Sequence, residues 1–405
     1  MPAVLGSVLQ FDRASSFERA AMRRWEPSKD WRRRHGLRAH TVTALCRAAA
    51  LVIRPAPPGV HALPPSPFSA VVIKPLALGD VLRTTPLLHA LRRAHPDARI
   101  TYAVGDYARR TLENNPHIDD MLDMGQLGTP RRYDAQAYLG LARRLRKGRF
   151  DVAVILDRSP LMALLPYLAR IPHRIGLHNK GRGFAHTTRV PIADDEHEVD
   201  AYLRVARAAG IDTSDVRCHF RPSVSDEAAA DRLHQEFGAT PGRPLVIMAP
   251  GGGLNPGAVD VSKRWTAAGY AHVADALIER RGATVVLVGL PSDASSNAAV
   301  RSAMRASAID LSGQTGFGQL AALIARGDLF VGNDSTAAQL AACVGTPSVT
   351  VFTTTEPWVY GPYAPNAVWV YRGSPSSGLV DSPGTAEVEQ AALDALPKRT
   401  EGPAG

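Results

Sequence analysis

From residue 70 to residue 396 the chain alternates two hydrophobic patterns. One is a short apolar run closed by turn residues, at 71–73, 99–104, 119–124, 151–156 and 171–177, and again at 245–249, 283–289, 309–311, 329–331 and 349–352. Such runs predict strands buried within a sheet. The other is a longer stretch with apolar residues every three or four positions. It predicts helices at 81–94, 107–115, 137–147, 199–209 and 225–237, then at 267–281, from 291–293 onward, and at 317–324, 337–344 and 385–396. In 81–94, for instance, Leu82, Leu87, Leu88 and Leu91 fall on one face. Strand and helix in alternation predict parallel sheets with helices on both faces.

The alternation breaks in two places. Residues 178–198 are polar and irregular, and Gly242-Arg243-Pro244 marks a Gly/Pro-rich shift. A boundary near 240 then gives an N-terminal domain over 69–240 and a C-terminal domain over 241–397, followed by a disordered tail, 398–405. The expectation is an α/β protein of two Rossmann-like β/α/β domains facing a central cleft.

Residues 1–68 stand apart as a basic, Pro-rich N-terminal extension. They hold eleven Lys or Arg against four Asp or Glu, so +7 of the chain's net +9 belongs to them. The nearly neutral remainder argues against a nucleic-acid grip. Trp25 and Trp31 sit among the arginines, and a helix is expected over 40–53, with Val42, Leu45, Cys46, Ala49 and Val52 on its apolar side. Six prolines then make a stiff linker. Two readings stand side by side: a segment lying on an anionic membrane surface, or a solvated leader. Three widely spaced cysteines argue for a reducing compartment and against a disulfide framework or zinc site. No apolar run is long enough for a membrane span, and the start lacks a secretory layout. The expected location is cytoplasmic, with peripheral attachment to the inner face of the plasma membrane as an extension of that reading.

The most informative stretch is 328–352. The apolar run is broken by Gly332-Asn333, Asp334-Ser335-Thr336 opens an Ala-rich helix, Gly345 and Pro347 stop it, and a strand follows. In a parallel sheet this strand-to-helix turn lies at the carboxyl ends of the strands, where ligands bind. A helix start offers unpaired N–H groups and a positive dipole end, suited to phosphate. Asp334 or Ser335 could equally serve as a helix cap. Irregular spacing of His178, His186 and His197 argues against a metal site. The chain has no G-x-S-x-G, no P-loop, and no G-x-G-x-x-G after its first strand.

Three stretches together carry a family resemblance: VVIKPLALGDVLRTTPLLHALRRAHPDARI at 71–100, PGGG leading to SKRW within 250–265, and residues 328–352. In this order they resemble glycosyltransferase family 9, the ADP-heptose:lipopolysaccharide heptosyltransferases of GT-B fold. The likeness covers roughly residues 70–395. It departs at Asp334-Ser335-Thr336-Ala337-Ala338-Gln339, where the family commonly has Asp-Thr/Ser-Gly-x-x-His, and the loop from Gly253 to Lys263 looks long.

The resemblance implies an inverting, metal-independent transfer of a heptose-like sugar from a nucleotide diphosphate to a hydroxyl acceptor, in cell-envelope glycan assembly. By analogy the donor is ADP-heptose, and no other cofactor is implied. Asp80 is the implied base, against the plainer reading that it caps the following helix. Lys74 and Gly79 are implied on the acceptor side. Lys263 is implied as the diphosphate clamp, with Gly251, Gly252, Asp334, Ser335, Thr336 and Asp293 around the donor. Each also has a plain reading: Lys263 as a surface lysine, the glycines as a flexible loop, Asp293 as a cap. Trp265 is read as a core anchor. A nucleotide-sugar epimerase and a non-catalytic nucleotide-sugar-binding scaffold remain as alternatives.

Overall fold

A computed structural model describes residues 7–10, 43–44, 46–49, 53, 63–127, 134–237, 242–255 and 258–397. Most of the basic extension, including Trp25 and Trp31, and the tail 398–405 lie outside the described residues. The chain forms two compact units. One is Ala20–Cys218; the other is Met1–Arg19 with His219–Gly405.

Apart from strand β1 (Ser7–Gln10), which belongs to the second unit, the order begins with β2 (Ser69–Ile73), α1 (Leu78–Arg83), α2 (Thr85–Ala94), β3 (Arg99–Val104) and β4 (Asp120–Asp123). It continues with α3 (Ala135–Lys147), β5 (Val152–Ile155), α4 (Pro160–Leu168), β6 (His173–His178), β7 (Thr188–Pro191) and α5 (Glu198–Ala208). The six strands form one parallel sheet in the order β4-β3-β2-β5-β6-β7. From β2 the chain winds one way through β3 and β4, then the other way from β5. The switch point therefore lies between β2 and β5, where a ligand crevice is expected. Val71, Ile73, Ala103 and Ile155 bury one sheet face against Leu145, Met162 and Leu165.

The expected helix 81–94 is two helices. Pro86 has no N–H for the carbonyl of Leu82, and the Thr85 hydroxyl donates to that carbonyl instead, at 2.7 Å. Thr84 does the same for Val81, also at 2.7 Å. The expected helix 107–115 is only a 3-10 turn, Arg109–Thr111. Strand β7 lies within the stretch read as irregular, and α4 was not anticipated. Its sequence PLMALLPYL is apolar on nearly every position, so periodicity does not mark it. Residues 43–44 and 46–49 are helical, and Cys46 is buried with Phe184 and Ala185 of the first unit while Ala49 and Ile53 pack around them. That part of the expected amphipathic side is thus covered by the protein itself.

The second unit contains α6 (Val224–Glu236), β8 (Leu245–Ala249), the small hairpin β9 (Leu254–Asn255) and β10 (Ala258–Val259), α7 (Ala267–Arg281), β11 (Thr284–Leu287), α8 (Ala294–Ala303) and β12 (Ile309–Asp310). Then come α9 (Phe317–Arg326), β13 (Leu329–Asn333), α10 (Thr336–Val344), β14 (Ser348–Val351), α11 (Pro357–Tyr360), β15 (Ala367–Ser374), β16 (Leu379–Asp381) and α12 (Thr385–Ala395). The sheet order is β1-β15-β14-β13-β8-β11-β12, with β16 also on β15. All pairings are parallel except those of β1 and β16 with β15. Here the switch point falls between β8 and β13. Val246, Met248, Val331 and Val349 pack against Ala274 and Leu277 of α7 and Ala392 of α12. The division between Cys218 and His219 sits before α6, because α6 packs on α9. Arg326 of α9 meets Glu227 and Asp231 of α6, each at 2.7 Å.

Candidate active site

At the first switch point, β2 runs out into Lys74-Pro75-Leu76-Ala77 and then into α1. Asp80 is the third residue of that helix, and its carboxylate reaches back to the Ala77 N–H at 3.4 Å. Capping is therefore part of its role, but a minor one at that distance. Oδ1 accepts from the Arg83 guanidinium at 2.8 Å. Oδ2 lies 3.3 Å from the Lys74 ammonium, which in turn lies 3.6 Å from Asp157 Oδ2, just beyond β5. Arg158 and Glu198 form a neighbouring pair at 2.7 Å.

Burial acts to raise the Asp80 pKa, but the Lys74 and Arg83 charges outweigh it and hold the carboxyl below the ordinary aspartate range. For Lys74, burial acts to lower the pKa. The carboxylates of Asp80, Asp157 and Glu198 outweigh that and hold the ammonium above the usual lysine value. Asp80 is thus ionised at neutral pH, and its side chain keeps 34% of its surface open. Lys74 is 8% exposed and committed to carboxylates, a setting for orienting Asp80 and not for meeting an acceptor. Gly79 is helical within α1.

At the second switch point, β8 leads into Pro250-Gly251-Gly252-Gly253 and β13 into Asp334 and α10. A Cβ on Gly251 would collide with the Asp293 carboxylate. Gly252 has φ +108°, and a Cβ there would lie 3.3 Å from the Ser335 Cβ. The glycine loop therefore closes directly over the start of α10. Ser335 is the cap residue of that helix by position, yet its side chain makes no capping bond and its buried Oγ has no partner among the described residues. Thr336 is the first helical residue. Lys263 Nζ reaches Asp334 Oδ2 at 2.8 Å, and the Thr355 hydroxyl donates to the same oxygen at 2.8 Å.

Asp293, expected around the donor with a helix cap as the plainer reading, takes a capping position. It is 3% exposed, and its oxygens accept from Gly252 N–H at 3.1 Å, Leu290 N–H at 3.0 Å and Arg264 at 3.2 Å. It is a brace for the glycine loop. Arg264, which sequence reading passed over, completes the brace by donating to the Gly252 carbonyl at 2.9 Å and to Ser296 at 3.0 Å. Asn333 was read only as a strand breaker. Its amide donates to the carbonyls of Pro250 and Gly251 at 2.7 and 3.0 Å, and its oxygen accepts from Trp265 N–H and Tyr270 OH, both at 2.8 Å. Thr353 donates to the Ser262 carbonyl at 2.6 Å, fixing the turn that carries Lys263. Trp265 is buried edge-on against Tyr270. Gln339, where the resembled family has His, donates to the Tyr360 carbonyl at 2.9 Å and ties α10 to α11.

Two parallel α/β units, one with an ionised carboxylate at its switch point and the other with a lysine, a glycine loop and an open helix start, have the construction of the GT-B class. The glycosyltransferase family 9 (heptosyltransferase) profile matches residues 138–378, and the chain belongs to that family of glycosyltransferases. It is 29% identical over 313 residues to lipopolysaccharide heptosyltransferase 2 of Salmonella typhimurium, covering 73% of this chain and 83% of the relative. With lipopolysaccharide heptosyltransferase 3 of Escherichia coli the identity is 27%, covering 73% and 86%. Among solved structures, a family 9 glycosyl transferase from Veillonella parvula is similar with TM-score 0.69 and 26% identity, covering 83% of this chain and 99% of that one. The ADP-heptose lps heptosyltransferase II of Escherichia coli shares the fold, with TM-score 0.64, 23% identity, and 81% and 98% covered.

Proposed function

We propose that the protein is an inverting, metal-independent heptosyltransferase of lipopolysaccharide core assembly, with ADP-heptose as donor and a lipid-linked saccharide as acceptor. The observation that carries this is the convergence of Lys263, the Gly252 loop and the uncapped start of α10 at one switch point. That set suits a diphosphate: an ammonium, backbone N–H groups and the Ser335 hydroxyl can bind its oxygens. Lys263 and the helix start supply the positive charge that a metal supplies in other transferases. In this reading the first unit holds the acceptor and the second the donor.

Asp80 takes the proton from the acceptor hydroxyl. The acceptor oxygen bonds to the anomeric carbon from the face opposite the diphosphate. The carbon–oxygen bond to the diphosphate breaks, and its electron pair leaves with the nucleotide, countered by Lys263. As the phosphate takes up Lys263, Asp334 becomes available to sugar hydroxyls.

The enzyme works in the cytoplasm. The basic residues of 1–68 supply attraction to an anionic inner-membrane surface, since Cys46, Ala49 and Ile53 are already packed. No helix among the described residues is long and apolar enough to cross a membrane.

The test is ADP release from ADP-heptose with candidate core acceptors, with and without EDTA, compared with Asp80→Ala. Turnover that survives EDTA and is lost in the variant supports the reading. Donor binding without turnover in either protein would favour a non-catalytic scaffold instead.

A further inference from the structure

We propose that Asp157 is a positioning residue for the transfer, acting through Lys74 on Asp80; this rests on the reading of Asp80 as the base. The topology brings the two together. β2 and β5 are parallel neighbours, and Lys74 and Asp157 lie just past their ends, at the switch point. Asp157 is itself oriented, because its Oδ1 accepts the Ser159 N–H at 2.7 Å while Oδ2 faces Lys74.

The distances show a shared cation. At 3.3 and 3.6 Å, Lys74 stands off from both Asp80 and Asp157, where a direct charge-assisted bond closes to about 2.8 Å. With only one carboxylate, a buried ammonium closes onto it and depresses its affinity for a proton. A second carboxylate on the far side holds it midway.

The second carboxylate matters most after proton transfer. Once Asp80 carries the acceptor's proton it is neutral, and Lys74, 8% exposed, keeps Asp157 as its one remaining ion-pair partner, with Glu198 acting on it more weakly. A buried ammonium without an anionic partner is strongly disfavoured. Asp157 therefore makes the protonated state of Asp80 accessible. The other charged and titratable groups around Asp80 are Arg83 on α1, Tyr102 on β3, and Glu198 and Tyr202 on α5, with Arg158 on Glu198. None of them is altered in the test.

The test is a double-mutant cycle on the full chain, reading kcat and donor KM from ADP release. Asp157→Asn should lower kcat about tenfold or more with donor KM held within about twofold. In a Lys74→Met background, the same change should alter kcat by less than about twofold. Should Lys74→Met fail to fold, Lys74→Gln replaces it. An additive loss in the double variant overturns the proposal. A carboxyl-carbon NMR titration of Asp80, assigned through Asp80→Asn, provides a readout without turnover. Its midpoint should fall in Asp157→Asn and rise in Lys74→Met, and an unmoved midpoint in folded variants also overturns the proposal. If Asp80→Asn keeps wild-type kcat, the base reading falls and the positioning role with it. If only the coupling is missing, the base reading stands.

Discussion

Asp80 and Asp334 occupy equivalent places in the two units. Each follows a central strand at a switch point, each lies at the start of a helix, and each has a lysine partner. Their surroundings differ. Asp334 has a side chain 7% exposed, closed against Lys263 at 2.8 Å and held by Thr355 on the same oxygen. Asp80 keeps 34% of its side chain open, and its lysine stands back at 3.3 Å. A tight, buried pair keeps a cation in place until an anion can take it over. An open carboxylate with a shared cation stays ionised and within reach of a substrate proton. The same residue pair thus serves two ends, and the distance and the second partner decide which.

The comparison breaks most directly at Asp80. Asp80→Asn should cut turnover roughly 10²–10⁴-fold, the usual contribution of a general base, with donor affinity by calorimetry unchanged. Unchanged turnover would remove the distinction between the two carboxylates. Next, Lys263→Met should lower turnover about 10²–10³-fold, as for the loss of one charge-stabilising donor, and weaken ADP binding as well. Binding loss should thus appear in the second unit's variant and not in the first's.

At the level of whole units, His186 makes the first one sensitive to acid. Burial, with His178 nearby, lowers its pKa to about 3. The unfolded chain takes up that proton near pH 6.5, and the folded chain does not until about 3. Stability is therefore complete above about pH 6.5 and falls as the pH drops towards about 3, by about 2 kcal/mol at pH 5 from this residue alone. Denaturant titrations at pH 7 and 5 measure the drop, which should shrink in His186→Gln.

Asp334→Asn sharpens the contrast from the other side. Without its carboxylate partner Lys263 is free for phosphate, so ADP should bind more tightly while turnover falls only about tenfold. Weaker ADP binding would mean that Asp334 supports the diphosphate directly. The smallest effect is expected for Thr355→Val, which removes one hydrogen bond to Asp334. A rise of about fivefold in donor KM, with kcat nearly unchanged, would match the loss of roughly 1 kcal/mol.

The elements most legible in the sequence were those with a strong period or a sharp stop. The buried runs at β2, β5, β8, β13 and β14 and the helices α7, α10 and α12 emerged close to their observed limits, because their apolar positions and glycine or proline stops are local. α4 escaped because an almost wholly apolar helix has no period. β15 was missed as well, and nothing local distinguished β7 from the loop around it. At the site, Asp80 and Ser335 were legible as residues at strand-to-helix turns, and Lys263 through the family resemblance. Arg264, Asn333 and Thr355 were not, since each acts through bonds to residues 12 to 83 positions away. Asp293 and Lys74 were legible as polar residues, but their distant partners, Gly252 and Arg264 for the one and Asp157 for the other, could not be read.

By itself, then, the order of residues determined the alternation of strand and helix, the two-domain α/β class and the turns from which the chemistry is presented. Those follow from periodicity, stops and helix starts, which act over a few residues. Tertiary structure alone decided which charged side chains became neighbours: Lys74 between two carboxylates, Asp293 behind the glycine loop, Lys263 on Asp334. Each of these pairings joins ends of different strands. Strand order in a sheet is set by how whole elements bury their apolar faces, a property that no local stretch of sequence contains.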